Sequence, residues 1–369
     1  MMPKPRARDL GLRFPGTPGR HNAITDVPGV QVGYRTLISG GDGPLTVGRG
    51  PVRTGVTAIL PRGRIDSANP VWAGFHALNG NGEMTGTHWI EDAGHFVGPI
   101  CITNTHAVGI AHHAATRWMI DTHRDLYGSE HLWLMPVIAE TYDGVLNDIN
   151  GMHVGEADVR AAIDTAASGP IAEGNVGGGT GMICYEFKGG TGTASRMLAM
   201  DDGREHVVAA LVQANHGLRD WLTVLGVPVG RELADDRLLE AEQGSIIVVL
   251  ATDIPMLPHQ LRRLARRGSI GIGRGGTPGG NNSGDIFLAF TTANRMAAPQ
   301  RSAARQTFEA INDDRLDPVY RAAVEAIEEA VVNALVAAED MVTLKPPGRR
   351  CAAIDHGALV AVLRRHGAA

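Results

Sequence analysis

The sequence predicts an α/β fold of layered sheets and helices (α+β layered), on three observations. Strand-like and helix-like stretches alternate along the whole chain. Five apolar residues in a row, Ile246 to Leu250, form the kind of run found in a strand covered on both faces. Tyr320, Val324, Ile327, Val331 and Leu335 recur at steps of four, three, four and four, which draws one apolar face along a helix.

The first 55 residues are rich in glycine, proline and arginine and read as loop with short strands such as GVQVGY. GVTAILP (55–61) is a clearer strand, and FHALNGNGEMTGTHWI after it is a glycine- and asparagine-rich turn region. THAVGIAHHAATRWMI (105–120) has helical character, and GEADVRAAIDTAAS (155–168) is an amphipathic helix ended by Gly169 and Pro170. EHVVAALVQAN (205–215) predicts a strand that runs into a polar end. Pro258 and Gly268 bracket a short helix, and Gly268-Ser269 reads as its C-terminus. A glycine-dense loop follows from Gly271 to Gly284, and then Ile286, Leu288 and Phe290 alternate as in a half-buried strand. Asp317 as N-cap with Pro318 at the first helical position opens the longest helix, and AAIDHGALVAVLRRHG forms the last. No repeat or long linker interrupts this order, so residues 1–369 are expected to form a single domain.

Bulk properties exclude several classes of function. The chain has 369 residues, 43% of them hydrophobic and 20% charged, ordinary for a soluble protein with a sizeable core. Thirty-four basic side chains against 39 acidic ones give a net charge of -5, which does not suit a nucleic-acid partner. The one dense basic cluster, Arg262, Arg263, Arg266 and Arg267, reads as a solvated helix face, with an interface as the alternative. Cys101, Cys184 and Cys351 make neither a disulfide framework nor a zinc-like spacing, which favours a reducing, cytoplasmic compartment. The basic leading stretch has no apolar core and so is not a secretory signal, and no run of about 20 apolar residues marks a membrane span.

No metal or cofactor is expected. The pattern H-E-x-x-H is absent, and His106, His112 and His113 on a helix read as core or surface histidines. A Walker A loop needs Gly-Lys-Ser/Thr, but the three lysines sit between other residues. GIGRGG (271–276) follows a helix, the wrong context for a dinucleotide turn, and no serine stands in G-x-S-x-G.

What remains is Gly244-Ser245, at the entry to the apolar strand. A serine made N-terminal by cleavage carries a free α-amine on its own Cα, with an unperturbed pKa of roughly 7.7 to 8.0. That amine can accept the hydroxyl proton, so nucleophile and general base lie in one residue. Before cleavage the same hydroxyl can attack the Gly244 carbonyl and form an ester that water opens. Glycine leaves that carbonyl unobstructed. By spacing alone, however, Gly-Ser before a strand is an ordinary end of a turn.

The long stretch from GSIIVVLATD to GSIGIGR, with GGNNSGDIFLAFTTAN after it, resembles the L-aminopeptidase/D-esterase family, which includes D-aminopeptidases and β-aminopeptidases. Further matches, in order, are HNAITDVPGVQVG, GNGEMTG, PVIAETYDGVLND, EGNVGGGTGM and VQANHG, so the likeness runs from about residue 21 to residue 294. The resemblance implies an α-β-β-α sandwich like that of N-terminal-nucleophile hydrolases but with different connectivity. It also implies one cut, giving an α chain of residues 1–244 and a β chain of residues 245–369, commonly assembled as a homotetramer of such pairs. Ser245 takes the position of the nucleophile. Ser283 and Asp285 take those of the serine and acid that orient the α-amine, where some members carry the longer glutamate. Asn215 matches the amide donor to the oxyanion, and Tyr142 the active-site tyrosine. From placement alone, Glu140 is the candidate to hold the ammonium of a substrate, with Glu83 second.

Each site residue has a plainer reading: Asn215 as a strand cap, Tyr142 as a pocket wall, Asp285 as a turn residue. The function these residues imply is a self-cleaving serine aminopeptidase acting on short peptides, amides or esters with a free amine. The alternatives are an acyltransferase on the same nucleophile and a non-catalytic binding or scaffold protein.

Overall fold

A computed structural model describes residues 4–200 and 203–369, so the first three residues of the leading stretch lie outside the described residues. Strands β1 (Gln31–Ser39), β2 (Val52–Leu60) and β3 (Val71–Ala77) precede helix α1 (Thr87–Ala93). Strands β4 (His95–Phe96) and β5 (Ile100–Asn104) follow, then α2 (Val108–Thr122), α3 (Arg124–Ser129), β6 (Val137–Thr141) and α4 (Glu156–Asp164). A small hairpin of β7 (Ile183–Cys184) and β8 (Phe187–Lys188) leads into β9 (Gly190–Ala199), β10 (Glu205–Asn215) and α5 (Val229–Glu232). Strand β11 (Ser245–Thr252), helices α6 (Pro258–Ala265) and α7 (Arg267–Arg274), and β12 (Ile286–Thr291) come next. Helix α8 (Asp317–Val336), the hairpin β13 (Met341–Leu344) with β14 (Pro347–Cys351), and α9 (His356–Arg365) end the chain.

Two sheets stack between helices. One has four strands in the order β1-β2-β5-β6, and the other six in the order β4-β3-β12-β11-β10-β9. Side-chain alternation assigns the layers. Along β11, Ile247, Val249 and Ala251 join Ile102 and Val137 in the core between the sheets, while Ile246, Val248 and Leu250 join Ile327 and Ala330 of α8. Both faces are therefore apolar, which is why the run Ile246–Leu250 has no polar interruption. On the outer side of the four-stranded sheet, Val56, Ala58 and Cys101 pack with Ala111 and Ala115 of α2 and Val159 of α4. The result is the four-layer α-β-β-α order.

Several local expectations need correction. The opening stretch holds two nine-residue strands rather than short ones. Helix α4 stops at Asp164, because Ala167 bridges to Val32 at the sheet. Gly268-Ser269 is not a helix C-terminus, since the chain continues in α7 to Arg274. A Cβ at Gly268 would lie 2.4 Å from the Phe287 ring, so this glycine serves a close contact between helix and sheet. Strand β12 is buried throughout, not half-buried, with Phe287 and Ala289 facing helices and Leu288 and Phe290 the other sheet. Helix α8 begins one residue early, with Leu316 at the N-cap position, and is buried on nearly every side. Arg262, Arg263 and Arg266 are exposed, as a solvated face requires, and Arg267 stacks on the Tyr320 ring at 3.9 Å. Among the described residues no helix is long and apolar enough to cross a membrane.

Candidate active site

Strands β10 and β11 run antiparallel with Asn215 opposite Ser245, so the last residue of one meets the first of the other. Strand β12 lies parallel on the far side of β11, with Ile286 beside Ile247. The loop that enters β12 therefore delivers Ser283, Gly284 and Asp285 to the same end of the sheet.

Ser245 is buried, and its Oγ accepts a hydrogen bond from the Gly284 N–H at 2.9 Å. Ser283 Oγ donates to Asp285 Oδ1 at 2.5 Å, and the Ile246 N–H reaches the same oxygen at 3.2 Å. Asp285 Oδ2 is buried without a hydrogen-bond partner. Burial, only partly offset by these donors, pushes the Asp285 carboxyl up to about 6. Gly284 N–H faces the oxygen on which negative charge develops when the hydroxyl loses its proton, and Asp285 is the nearby group able to receive one.

The Asn215 side chain is fixed from two directions. Its Oδ1 accepts the Ile183 N–H at 2.7 Å, and its Nδ2 donates to the Tyr142 carbonyl at 3.0 Å. The amide has a second N–H besides that one. The Asn215 backbone explains the residue before Ser245: a Cβ on Gly244 would stand 1.6 Å from the Asn215 carbonyl oxygen. Only glycine fits there.

Tyr142 is 38% exposed, with its hydroxyl folded over Gly144. Burial of part of the ring raises its pKa. With Val145, Ile183, Asn215, Leu239 and Gly244 it lines a cleft of about 30 Å³, little more than room for a water. Glu140, on β6, is buried; its Oε1 accepts the Glu83 N–H at 2.9 Å and its Oε2 the Thr105 hydroxyl. Burial raises this carboxyl as well. A Cβ on Gly82 would be 3.4 Å from Glu140 Oε1 and 3.2 Å from Gly284 Cα, so one glycine separates Glu140 from the Ser283–Asp285 loop.

Gly244, Ser245, Ser283, Asp285 and Asn215 thus converge. Tyr142 joins them through its carbonyl and the cleft, and Glu140 through Gly82. The Glu83 side chain is exposed, and what it brings to the site is its backbone N–H. Two groups escaped sequence reasoning. Gly284 lies inside a matched motif, but an N–H carries no sequence signal. Glu242, buried three residues before Ser245, sits in a stretch that reads as polar and acidic. His216 follows Asn215 but points the other way, against Cys184 and Tyr185, and burial lowers it to about 3, leaving a neutral ring. Among the described residues no three His, Cys, Asp or Glu side chains are grouped to hold a metal ion.

Residues 22–347 match Peptidase family S58. The β-peptidyl aminopeptidase BapA of Sphingosinicella microcystinivorans is 52% identical over 379 residues, spanning 98% of this chain and 92% of that protein. The structure of an L-aminopeptidase D-Ala-esterase/amidase from Ochrobactrum anthropi superimposes with a TM-score of 0.94 at 60% identity, covering 99% of each chain. It is described as a prototype for the serine aminopeptidases and a new variant among the Ntn hydrolase fold. A β-aminopeptidase from Burkholderia sp. superimposes with a TM-score of 0.87 at 47% identity, covering 98% of this chain and 99% of that one.

Proposed function

The chain belongs to peptidase family S58, and from that premise we propose that it cuts its own Gly244–Ser245 bond and works through the serine so exposed. It is a hydrolase, a serine aminopeptidase, on a variant of the Ntn hydrolase fold. The observation that carries the proposal is the setting of Ser245. Its hydroxyl is held by Gly284 N–H beside a buried Ser283–Asp285 pair, directly after a glycine that no other residue can replace.

In maturation, Ser245 Oγ attacks the Gly244 carbonyl carbon and its proton passes toward Asp285. The C–N bond breaks as the Ser245 nitrogen takes a proton, leaving an ester. Water hydrolyses that ester to a Gly244 carboxylate and restores the Ser245 hydroxyl, beside the α-amine freed in the previous step. In turnover the amine removes the Oγ proton, Oγ attacks the substrate carbonyl, and the proton goes to the leaving amine. Water then releases the acyl group. Asn215 donates its second amide N–H to the oxyanion in both stages. Ser283 and Asp285 orient the new amine, and Tyr142 contributes to the same region.

Glu140 holds the ammonium of the incoming residue, since a buried cation needs a charged partner. Glu140→Gln is expected to raise KM for free-amine substrates far more than it lowers kcat. Short β-, D- or L-amino-acid peptides, amides and esters are the substrate class. A single domain of two paired chains, assembled as a tetramer in the cytoplasm, completes the reading. The test is a chromogenic amino-acid anilide offered with a free amine and with an acetylated one. Hydrolysis of the free form only, absent in Ser245→Ala, is expected, and equal hydrolysis of the blocked form counts against the proposal.

A further inference from the structure

The segment leading to Ser245 is loosely tied. The carboxylate of Glu186 anchors it upstream, accepting the Leu238 and Leu239 N–H groups at 2.6 and 3.0 Å. Beyond that, no backbone group of residues 240–243 makes a hydrogen bond among the described residues. Ala241 and Gln243 are exposed, yet Glu242 between them is buried. Its Oε1 accepts the Gly217 N–H at 2.7 Å, two residues beyond Asn215. Its Oε2 is buried against the backbone of Gly280, which helps to stabilise the carboxylate, and a Cβ there would come within 1.8 Å of it. The Gly280 carbonyl accepts the Ser283 N–H at 3.0 Å and Asn79 Nδ2 at 3.0 Å, so Gly280 belongs to the turn that presents Ser283 and Asp285.

One side chain therefore ties the loose segment to the strand end carrying Asn215 and to the loop carrying the Ser283–Asp285 pair. A carboxylate buried against backbone groups with no cation in ion-pair contact is costly to keep, and core packing alone does not account for it. We propose that Glu242 is a positioning residue for self-cleavage, a clamp that holds residues 242–244 so that the Gly244 carbonyl stays before the Ser245 hydroxyl. The inference rests on the self-cleavage reading above. It adds a residue that acts only while the segment is attached. After scission Glu242 is the third residue from a free end, and the walls that Leu239, Gln243 and Gly244 lend to the cleft are free to withdraw.

The experiment follows disappearance of the uncut chain on a denaturing gel after cell-free synthesis, for wild type, Glu242→Ala, Glu242→Gln, Glu242→Leu, Gly280→Ala and, as the blocked control, Ser245→Ala. Displacement of reacting groups by a fraction of an ångström is expensive, so Glu242→Ala should lengthen the half-life of the uncut chain about tenfold or more. Glu242→Gln keeps an acceptor for Gly217 and should return the half-life to within about threefold of wild type, whereas Glu242→Leu, which fills similar space with no acceptor, should stay as slow as Glu242→Ala. Gly280→Ala sets a methyl on Oε2 and should slow cutting as Glu242→Ala does, giving an answer even where Glu242→Ala is insoluble. Wild-type half-lives in Glu242→Ala or Gly280→Ala, or a Gln variant as slow as Ala, overturn the inference alone. A wild-type chain that never cuts overturns the self-cleavage reading and the inference with it.

Discussion

Where the N-terminal segment docks on α8, buried carboxylates face guanidinium groups. Glu329 meets Arg8 at 2.8 Å and Arg196 at 2.8 Å, and accepts from Asn22 at 2.6 Å, with Arg196 and Glu329 both buried. Burial alone would raise the Glu329 carboxyl, but Arg8 and Arg196 hold it below its ordinary value. Glu173 is paired with Arg6 at 2.6 Å, although burial still pushes it up to about 7. At the end of the sheet that carries Ser245, Glu140, Glu242 and Asp285 are buried too. Among the described residues none of these three has an arginine, lysine or histidine in ion-pair contact, and burial raises all three. A matched cluster is complete when the chain folds. An unmatched one holds its protons more tightly and leaves room for a cation that arrives later, and a new N-terminal amine and the ammonium of a substrate are two such cations.

The sharpest way to break this contrast is to neutralise the unmatched side. Asp285→Asn or Ser283→Ala should lower kcat by roughly 10²- to 10⁴-fold while the protein still melts cooperatively, because a proton relay is lost and no ion pair is. Kinetics and a thermal melt on the same sample check it, and near-normal kcat would make Asp285 a turn residue after all. On the matched side, Arg196→Ala should cost about 3 kcal/mol in denaturant unfolding, since it removes the buried guanidinium shared by Glu329 and Glu325 and leaves them only Arg8 and Arg321. It should leave the kcat of the folded fraction near wild type. A mild effect on stability would show that the two clusters do not differ as argued.

Asn215→Ala sharpens the site itself. It should lower kcat by about 10²- to 10³-fold, provided the loss of its contacts to Ile183 and Tyr142 leaves the folded state intact by circular dichroism. The smallest expected effect concerns pH. With Asp285 raised to about 6 in the uncut chain, self-cleavage should slow as pH falls below 6 and the carboxyl protonates, and Asp285→Asn should remove that limb. Stability runs the other way. The unfolded chain loses this proton near pH 4, so the native state binds more protons between roughly pH 4 and 6, and the contribution is lost as pH rises through 6. Asp285→Asn should therefore gain stability relative to wild type on going from pH 4 to pH 7.

How much of this was legible in the sequence depended on distance along the chain. The strand after Ser245 was readable because both its faces are apolar, and α8 because its apolar steps are regular. Strand β12 misled, since Phe287 and Ala289 between Ile286, Leu288 and Phe290 are themselves apolar and nothing local says that a helix covers them. Gly268 misled because glycine punctuates turns in isolation, while here it makes room for Phe287. The matched cluster joins residues as far apart as Arg8 and Glu329, which no local pattern reveals. At the site, the motif around Ser283 and Asp285 and the asparagine at the end of β10 were visible as a set through family resemblance. Glu242 was not, because a charged residue in a polar stretch gives no sign that it turns inward.

The central claim, that scission of the Gly244–Ser245 bond creates the working nucleophile, is tested most directly by intact-mass measurement of catalytically active protein. The account predicts two chains, residues 1–244 and residues 245–369 with Ser-Ile-Ile at the head of the second, and a single whole chain in inactive Ser245→Ala. Activity in a sample consisting only of whole chains would contradict it.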